Sequence, residues 1–334
     1  MKPLVGAALG AAAGLLVARA LTPRYSFRGK RVLITGGSKG LGLVMARRLV
    51  AEGARVALLA RGEAALRSAV RELGRRGADA AGTTCDVRNE AEVVAALGAV
   101  STRFGGLDVL INNAGVIQTG PFESADNRDF AEALATHLWG PLYTVRAALP
   151  HLEASGGRIL NVASIGGLVS VPHLSSYSAS KFALVGLSDA LRAELKPKGV
   201  SVTTACPWLT RTGSHYNVQL KGQHAEEFTL FALASALPGS SVSAESTAKA
   251  CLEALRSGRA RVVTGTPGKA AHLLDSLAPE MSKAALELIA GLLPESAGAK
   301  ERKTGWEVRS ETPLVPSLLT RLAERAAARN NEFT

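Results

Sequence analysis

Arg31-Val32-Leu33-Ile34-Thr35-Gly36-Gly37-Ser38-Lys39-Gly40-Leu41-Gly42 is the stretch that decides the fold. Its first residues are a short apolar, partly β-branched run, the glycines mark a turn, and an apolar helix pattern follows over 43–52, ahead of a second strand over 55–60. Strand, glycine turn, helix and strand make the first unit of a doubly wound parallel sheet. In that unit the glycines let the backbone approach a pyrophosphate, and the helix starting near Gly40 aims unpaired N–H groups and its positive dipole end at it. The spacing is Gly-x-x-x-Gly-x-Gly, so Gly36, Ser38, Lys39, Gly40, Leu41 and Gly42 are the expected cradle.

The second strand's end selects the nucleotide. A carboxylate there suits the ribose hydroxyl of NAD, whereas a 2′-phosphate needs a cation. Leu58-Leu59-Ala60-Arg61 carries no acid before Glu63, and Lys39 sits in the glycine turn, so Arg61 and Lys39 predict NADP(H) over NAD(H). A third strand over 80–87 brings Asp86 and Val87 to its end, with Asp86 able to accept from an adenine amino group. After a helix over 90–104, the buried strand at 107–111 closes in Asn112-Asn113-Ala114-Gly115, at the strand ends where such sheets bind ligands.

The chemistry-bearing residues come next. A helix over 129–152 carries His137, with Gly140-Pro141 predicting a kink, and a strand over 158–163 delivers Ser164 and Ile165. Tyr177 and Lys181 are four apart on a predicted helix, which puts a phenol and an ammonium on one face. A nearby cation favours the phenolate, so the pair is a candidate acid/base. The strand over 201–205 then runs into Cys206-Pro207-Trp208-Leu209-Thr210-Arg211-Thr212.

With the glycine turn, Asn-Asn-Ala-Gly, Ser164, Tyr-x-x-x-Lys and Pro-x-x-x-x-Thr in that order, the chain resembles the short-chain dehydrogenase/reductase family from about residue 29 to 265. That resemblance implies a seven-stranded Rossmann-like α/β sheet and an oxidoreductase acting on a carbonyl or secondary alcohol. Tyr177 would exchange a proton with the substrate oxygen, Ser164 would orient that oxygen, and Lys181 would lower the Tyr177 pKa and hold the nicotinamide ribose. Asn113, Ala114 and Gly115 would line the nucleotide cleft, and Pro207, Leu209 and Thr212 would close over the carboxamide. The family is commonly dimeric or tetrameric, so a homo-oligomer is expected. Two positions depart from the pattern. His137 stands where relatives have Asn, either relaying protons through a water to Lys181 or simply satisfied by its surroundings. Trp208 replaces a Gly, either walling the substrate pocket with Ser164, Ile165 and Tyr177 or merely packing.

The bulk numbers exclude other classes. The formal charge of +11 is concentrated at the start, where residues 1–31 hold six basic residues and no acid, and aromatics are only 4%, so no nucleic-acid groove is visible. Three cysteines far apart make neither a disulfide framework nor a metal site, and no metal is expected. Residues 4–21 are apolar apart from Arg19, and residues 1–28 read as a membrane anchor, a cleaved signal or a helix on the domain; an anchor would leave the enzyme on the cytoplasmic side. The Rossmann domain is expected over 29–266, with a substrate-covering lid at about 213–240 and a helical extension over 267–334 in which 297–316 is a flexible linker. The anchor and the leucines of that extension leave a lipid-like substrate open. The rival reading is a nucleotide-binding regulator acting through a partner.

Overall fold

Aliphatic runs buried on both faces require a parallel sheet covered by helices. The structure, a computed structural model, describes residues 24–296 and 298–333. Strands β1 (Arg31–Thr35), β2 (Arg55–Ala60), β3 (Ala80–Thr84), β4 (Val109–Asn112), β5 (Arg158–Val162), β6 (Ser201–Cys206) and β7 (Arg261–Val263) form one seven-stranded parallel sheet in the order β7-β6-β5-β4-β1-β2-β3. The order reverses between β1 and β4. A crevice opens at such a point outside the carboxyl ends of the strands.

The helices are α1 (Gly40–Ala51), α2 (Glu63–Arg75), α3 (Glu90–Phe104), α4 (Asn127–Leu134), α5 (Gly140–Ser155), α6 (Ser175–Leu195), α7 (His224–Ala236), α8 (Ala244–Arg256), α9 (Thr266–Leu277), α10 (Pro279–Ala290), α11 (Gly305–Val308) and α12 (Arg321–Arg329). On one sheet face Leu43, Met45 and Leu49 of α1 meet Ala248, Leu252 and Leu255 of α8 over Val32, Ile34 and Leu58. Across the sheet, Val93 and Leu97 of α3 and Val145 and Leu152 of α5 cover Leu33, Leu59 and Leu110.

Three local differences from the sequence reading matter. The third strand stops at Thr84, which leaves Cys85, Asp86 and Val87 in the following turn. The helix expected over 129–152 is instead α4, a π turn at Ala135–Trp139, and α5. Pro141 has no N–H to return to the preceding turn, and the Gly140 N–H reaches five residues back to Ala135 O.

Within the expected linker over 297–316, residues 303–311 form regular structure. Its strand Lys303–Thr304 pairs with Gln219–Leu220, which in turn pairs with Gln118–Thr119. Trp306 stacks on Tyr216 with ring centroids 4.4 Å apart. Val308, Val315 and Ala327 of the extension complete a separate core with Tyr216, Val218, Leu220 and Phe228 of the lid. The hairpin α9–α10 stands apart, with Leu277 76% and Leu292 just beyond it 83% exposed. No helix among the described residues is long and apolar enough to cross a membrane, and the apolar segment 4–21 lies outside them.

Candidate active site

Ser164 follows β5 in extended backbone, and its Oγ accepts from the Gly166 N–H at 3.1 Å. The Tyr177 phenol faces the same hydroxyl, close enough for Ser164 to pull its pKa down. Gly166 is open enough for this because a Cβ there would lie 3.2 Å from the Tyr177 ring. One helical turn on, Lys181 Nζ donates to Val162 O at 3.0 Å and lies 5.7 Å from the Tyr177 ring centroid. Three side chains from two elements thus converge at the carboxyl end of β5.

Electrostatically the pair differs from the expected one. Burial raises the Tyr177 phenol above its ordinary value of 10.0, a hydrogen bond from Ser164 opposes that rise, and the Cys206 thiol adds to it. Burial also pulls Lys181 from 10.5 down to about 7. Desolvation disfavours whichever form is charged, so a half-discharged lysine does not lower the phenol here.

His137 lies in the π turn, buried beneath Tyr177 with the two rings perpendicular at 5.6 Å. The Ser180 hydroxyl donates to Tyr177 O, so its oxygen is left to accept from His137 Nδ1–H at 2.8 Å. Nε2 is then the acceptor, and it takes the Val116 N–H at 3.1 Å. Both ring nitrogens are spent on the protein, the arrangement of a satisfied histidine. Burial, aided by the Lys181 cation, holds its pKa well below 6.5. Gly115 faces this ring, where a Cβ would lie 3.1 Å from Nε2.

On the nucleotide side, Asn113 ties two turns together. Its Nδ2 donates to Thr35 O and Gly36 O at 3.1 Å each, and Thr35 Oγ1 accepts from the Asn113 and Ala114 N–H groups at 3.0 and 3.1 Å. A Cβ on Gly36 would lie 2.8 Å from Ala114 Cα, and one on Gly42 would lie 2.5 Å from Gly36 O. The two turns can be this close only because glycine stands at both positions. Arg61 is exposed at the end of β2 and helps lower the Asp86 pKa. Asp86 itself is held by Arg88, with Nε at 2.9 Å and Nη2 at 2.6 Å from Oδ2, so its carboxylate is already occupied. Val87 packs at Gly140.

The segment after β6 closes the other lip. Pro207 O accepts from the Ile165 N–H at 2.9 Å, Leu209 O accepts from the Val242 N–H at 2.8 Å, and Thr212 is buried near Gly40. Trp208 donates through its indole N–H to Ser240 O at 2.6 Å and covers Gly265 and Gly268, a packing role.

One set of residues was not foreseen. Asn330, Asn331 and Glu332, just beyond α12, sit on the glycine turn, and the Gly40 N–H donates to Asn330 O at 3.0 Å. Glu332 is only 4% exposed. Neither periodicity nor a motif marks Asn330-Asn331-Glu332-Phe333 in the sequence.

A family model described as short chain dehydrogenase matches residues 30–221. A Streptomyces coelicolor protein provisionally described as a ketoacyl reductase is 42% identical over 183 residues, which is 54% of this chain and 70% of that protein. Among solved structures, a variant actinorhodin polyketide ketoreductase with NADPH superposes with a TM-score of 0.61 at 33% identity, covering 71% of this chain and 95% of that one. A short-chain dehydrogenase/reductase from Burkholderia phymatum in complex with NAD gives a TM-score of 0.70 at 26% identity, covering 77% and 96%.

Proposed function

The chain belongs to the short-chain dehydrogenase family, and from that premise we propose that it is an NADPH-dependent reductase of ketone substrates, with Tyr177 as general acid/base. The observation that carries this reading is the convergence of Ser164, Tyr177 and Lys181 at the end of β5. A binding module has no need of all three.

The residues present fit a dinucleotide. At the start of α1 the Gly40 N–H donates outward, to a backbone oxygen of the chain itself at 3.0 Å, with Lys39 beside it, so this place suits an oxygen acceptor such as a phosphate. Gly36, Ser38, Lys39, Gly40, Leu41 and Gly42 would hold the pyrophosphate, Asn113, Ala114 and Gly115 the adjoining lip, and Arg61 a 2′-phosphate. The absence of an acid at the end of β2 and the relative solved with NADPH support NADP(H); the relative solved with NAD is the counterweight. When bound, the nicotinamide supplies or accepts the hydride.

The protein's own part is proton handling and orientation. A phenol that keeps its proton, as burial ensures here, is a general acid for a carbonyl oxygen acquiring negative charge. Ser164 offers the same oxygen a hydrogen bond that strengthens as charge develops. Lys181, buried one helical turn from Tyr177, would hold the nicotinamide ribose. Ile165 would line the substrate side. Likeness to ketoacyl and polyketide ketoreductases favours reduction of a ketone. Attachment to the cytoplasmic face of a membrane rests on residues 4–21 alone, and homo-oligomerisation on the family.

Turnover of a ketone panel with NADPH, measured for wild type and Tyr177→Phe, tests the assignment. Loss of the proton donor should cut kcat by roughly 10²–10⁴ with NADPH binding retained. The second reading, a nucleotide-binding regulator, is favoured by the chain's own residues standing on the glycine turn. Tight NADPH binding by wild type without turnover of any ketone would select it.

A further inference from the structure

We infer that residues 330–333 are a built-in occupant of the cofactor's anion site, so that a dinucleotide pyrophosphate enters only as this segment leaves. The inference rests on the dinucleotide reading above and adds a regulation of the same site.

The segment uses the groups a phosphate would use. The Gly40 N–H, the first of α1, is taken by Asn330 O at 3.0 Å. Glu332 places Oε1 2.9 Å from the Cβ position of Gly40 and accepts from Asn217 Nδ2 through Oε2 at 2.7 Å. A backbone oxygen on the first N–H of α1 and a carboxyl within reach of the Lys39 charge thus stand where a pyrophosphate would be held. Asn331 Nδ2 donates to Ser38 O at 2.9 Å and Ala65 O at 3.0 Å, while Asn330 Nδ2 donates to Thr212 O at 3.3 Å. The segment therefore stitches the glycine turn to the opposite lip at Thr212, across the mouth the cofactor must cross.

It is built to come off as a short piece. Helix α12 behind it is anchored independently, by Ala327 against Gly213 and by the Tyr216 hydroxyl on Glu324 at 2.6 Å. Asn331 takes a left-handed φ of 62°, and Phe333 ahead of it is half-exposed against Tyr216 and Trp306. Opening would release the Glu332 N–H from Ala327 O at 3.1 Å and the Asn330 side chain from Arg47 Nη1 at 3.1 Å, while these other contacts of α12 stay in place. Burial raises the Glu332 carboxyl from 4.5 to about 7, with Lys39 and Asn217 pulling the other way, so its charged form is held in an unfavourable place. A dinucleotide offers the same N–H group and lysine more charge.

If the docked state exceeds the open one by about tenfold, the apparent Kd for NADPH is about tenfold weaker than the intrinsic one. Three chains test this: full length, full-length Glu332→Ala, and a chain ending at Arg329. NADPH binding is followed by its fluorescence, and amide exchange of 330–333 is followed in the full-length chain with and without NADPH. Matched thermal melts check that the variants remain folded. The expected result is loss of exchange protection at 330–333 on saturation with NADPH, and binding about tenfold tighter in the shortened chain, with Glu332→Ala tighter than wild type. Equal binding by all three chains with unchanged protection overturns this inference and leaves the dinucleotide reading intact. Weaker binding by the shortened chain also overturns it, since the segment would then belong to the cofactor site. No binding by any chain removes the dinucleotide reading and this inference together.

Discussion

Lys181 illustrates how burial changes a residue whose spacing alone suggests a cation. In the unfolded chain its ammonium titrates near 10.5, in the folded protein near 7, so between those values the folded state holds fewer protons. Stability then rises with pH across that window, and below it the full cost of a buried charge is present. Lys181→Met should therefore be more stable than wild type at pH 7, with the difference in Tm narrowing toward pH 10; a constant difference would refute the depressed pKa. Arg61 belongs to the same scale but is exposed at the end of β2, where its proposed role is to hold a 2′-phosphate. Arg61→Asp should shift the kcat/KM ratio from NADPH toward NADH while leaving Tm within about 2 °C. A wild-type preference for NADH would overturn the cofactor assignment.

The π turn between α4 and α5 is the element whose role goes furthest beyond its sequence pattern. An extra residue in the helix brings His137 under Tyr177, where it joins the Asn113–Gly115 lip through Val116 to α6 through Ser180. His137→Ala strips the Val116 N–H of its acceptor, a loss of about 1–3 kcal/mol. The ring is neutral in the folded state well below pH 6.5, whereas the unfolded ring gains its proton there. Wild type then carries a loss of stability on acidification below pH 6.5 that the variant lacks. The Tm gap between them should shrink from pH 7 to pH 5. A gap that widens would mean the folded ring takes the proton, as the relay reading would have it, and an unaltered pH profile of kcat in the variant would remove the relay.

At the scale of the whole molecule, the extension is a second layer that closes the lid against the Rossmann domain. One of its tight junctions is Gly213, at φ 93°, where a Cβ would lie 2.3 Å from Ala327 Cα. Gly213→Ala combines backbone strain of about 1–3 kcal/mol with displacement of α12. Limited proteolysis should then cut within 317–333 while residues of β1–β6 stay protected; an unchanged cleavage pattern and Tm would show that the layers are not coupled through this contact.

The sheet, the glycine turn and the Tyr177–Lys181 face were legible in the sequence because each depends on neighbours within a few residues. Alternation and aliphatic runs set strands, glycine spacing sets a turn, and a separation of four sets a helix face. Other features depend on contacts between distant parts of the chain, which no local pattern encodes. The Arg88 clamp on Asp86 hinges on a strand that stops three residues early, and Trp208 on glycines at 265 and 268. Burial, a property of the assembled core, reversed the expected titration of Tyr177 and Lys181. Only the tertiary structure could bring Glu332 to Gly40, because an isolated carboxylate carries no sign of which helix end will hold it.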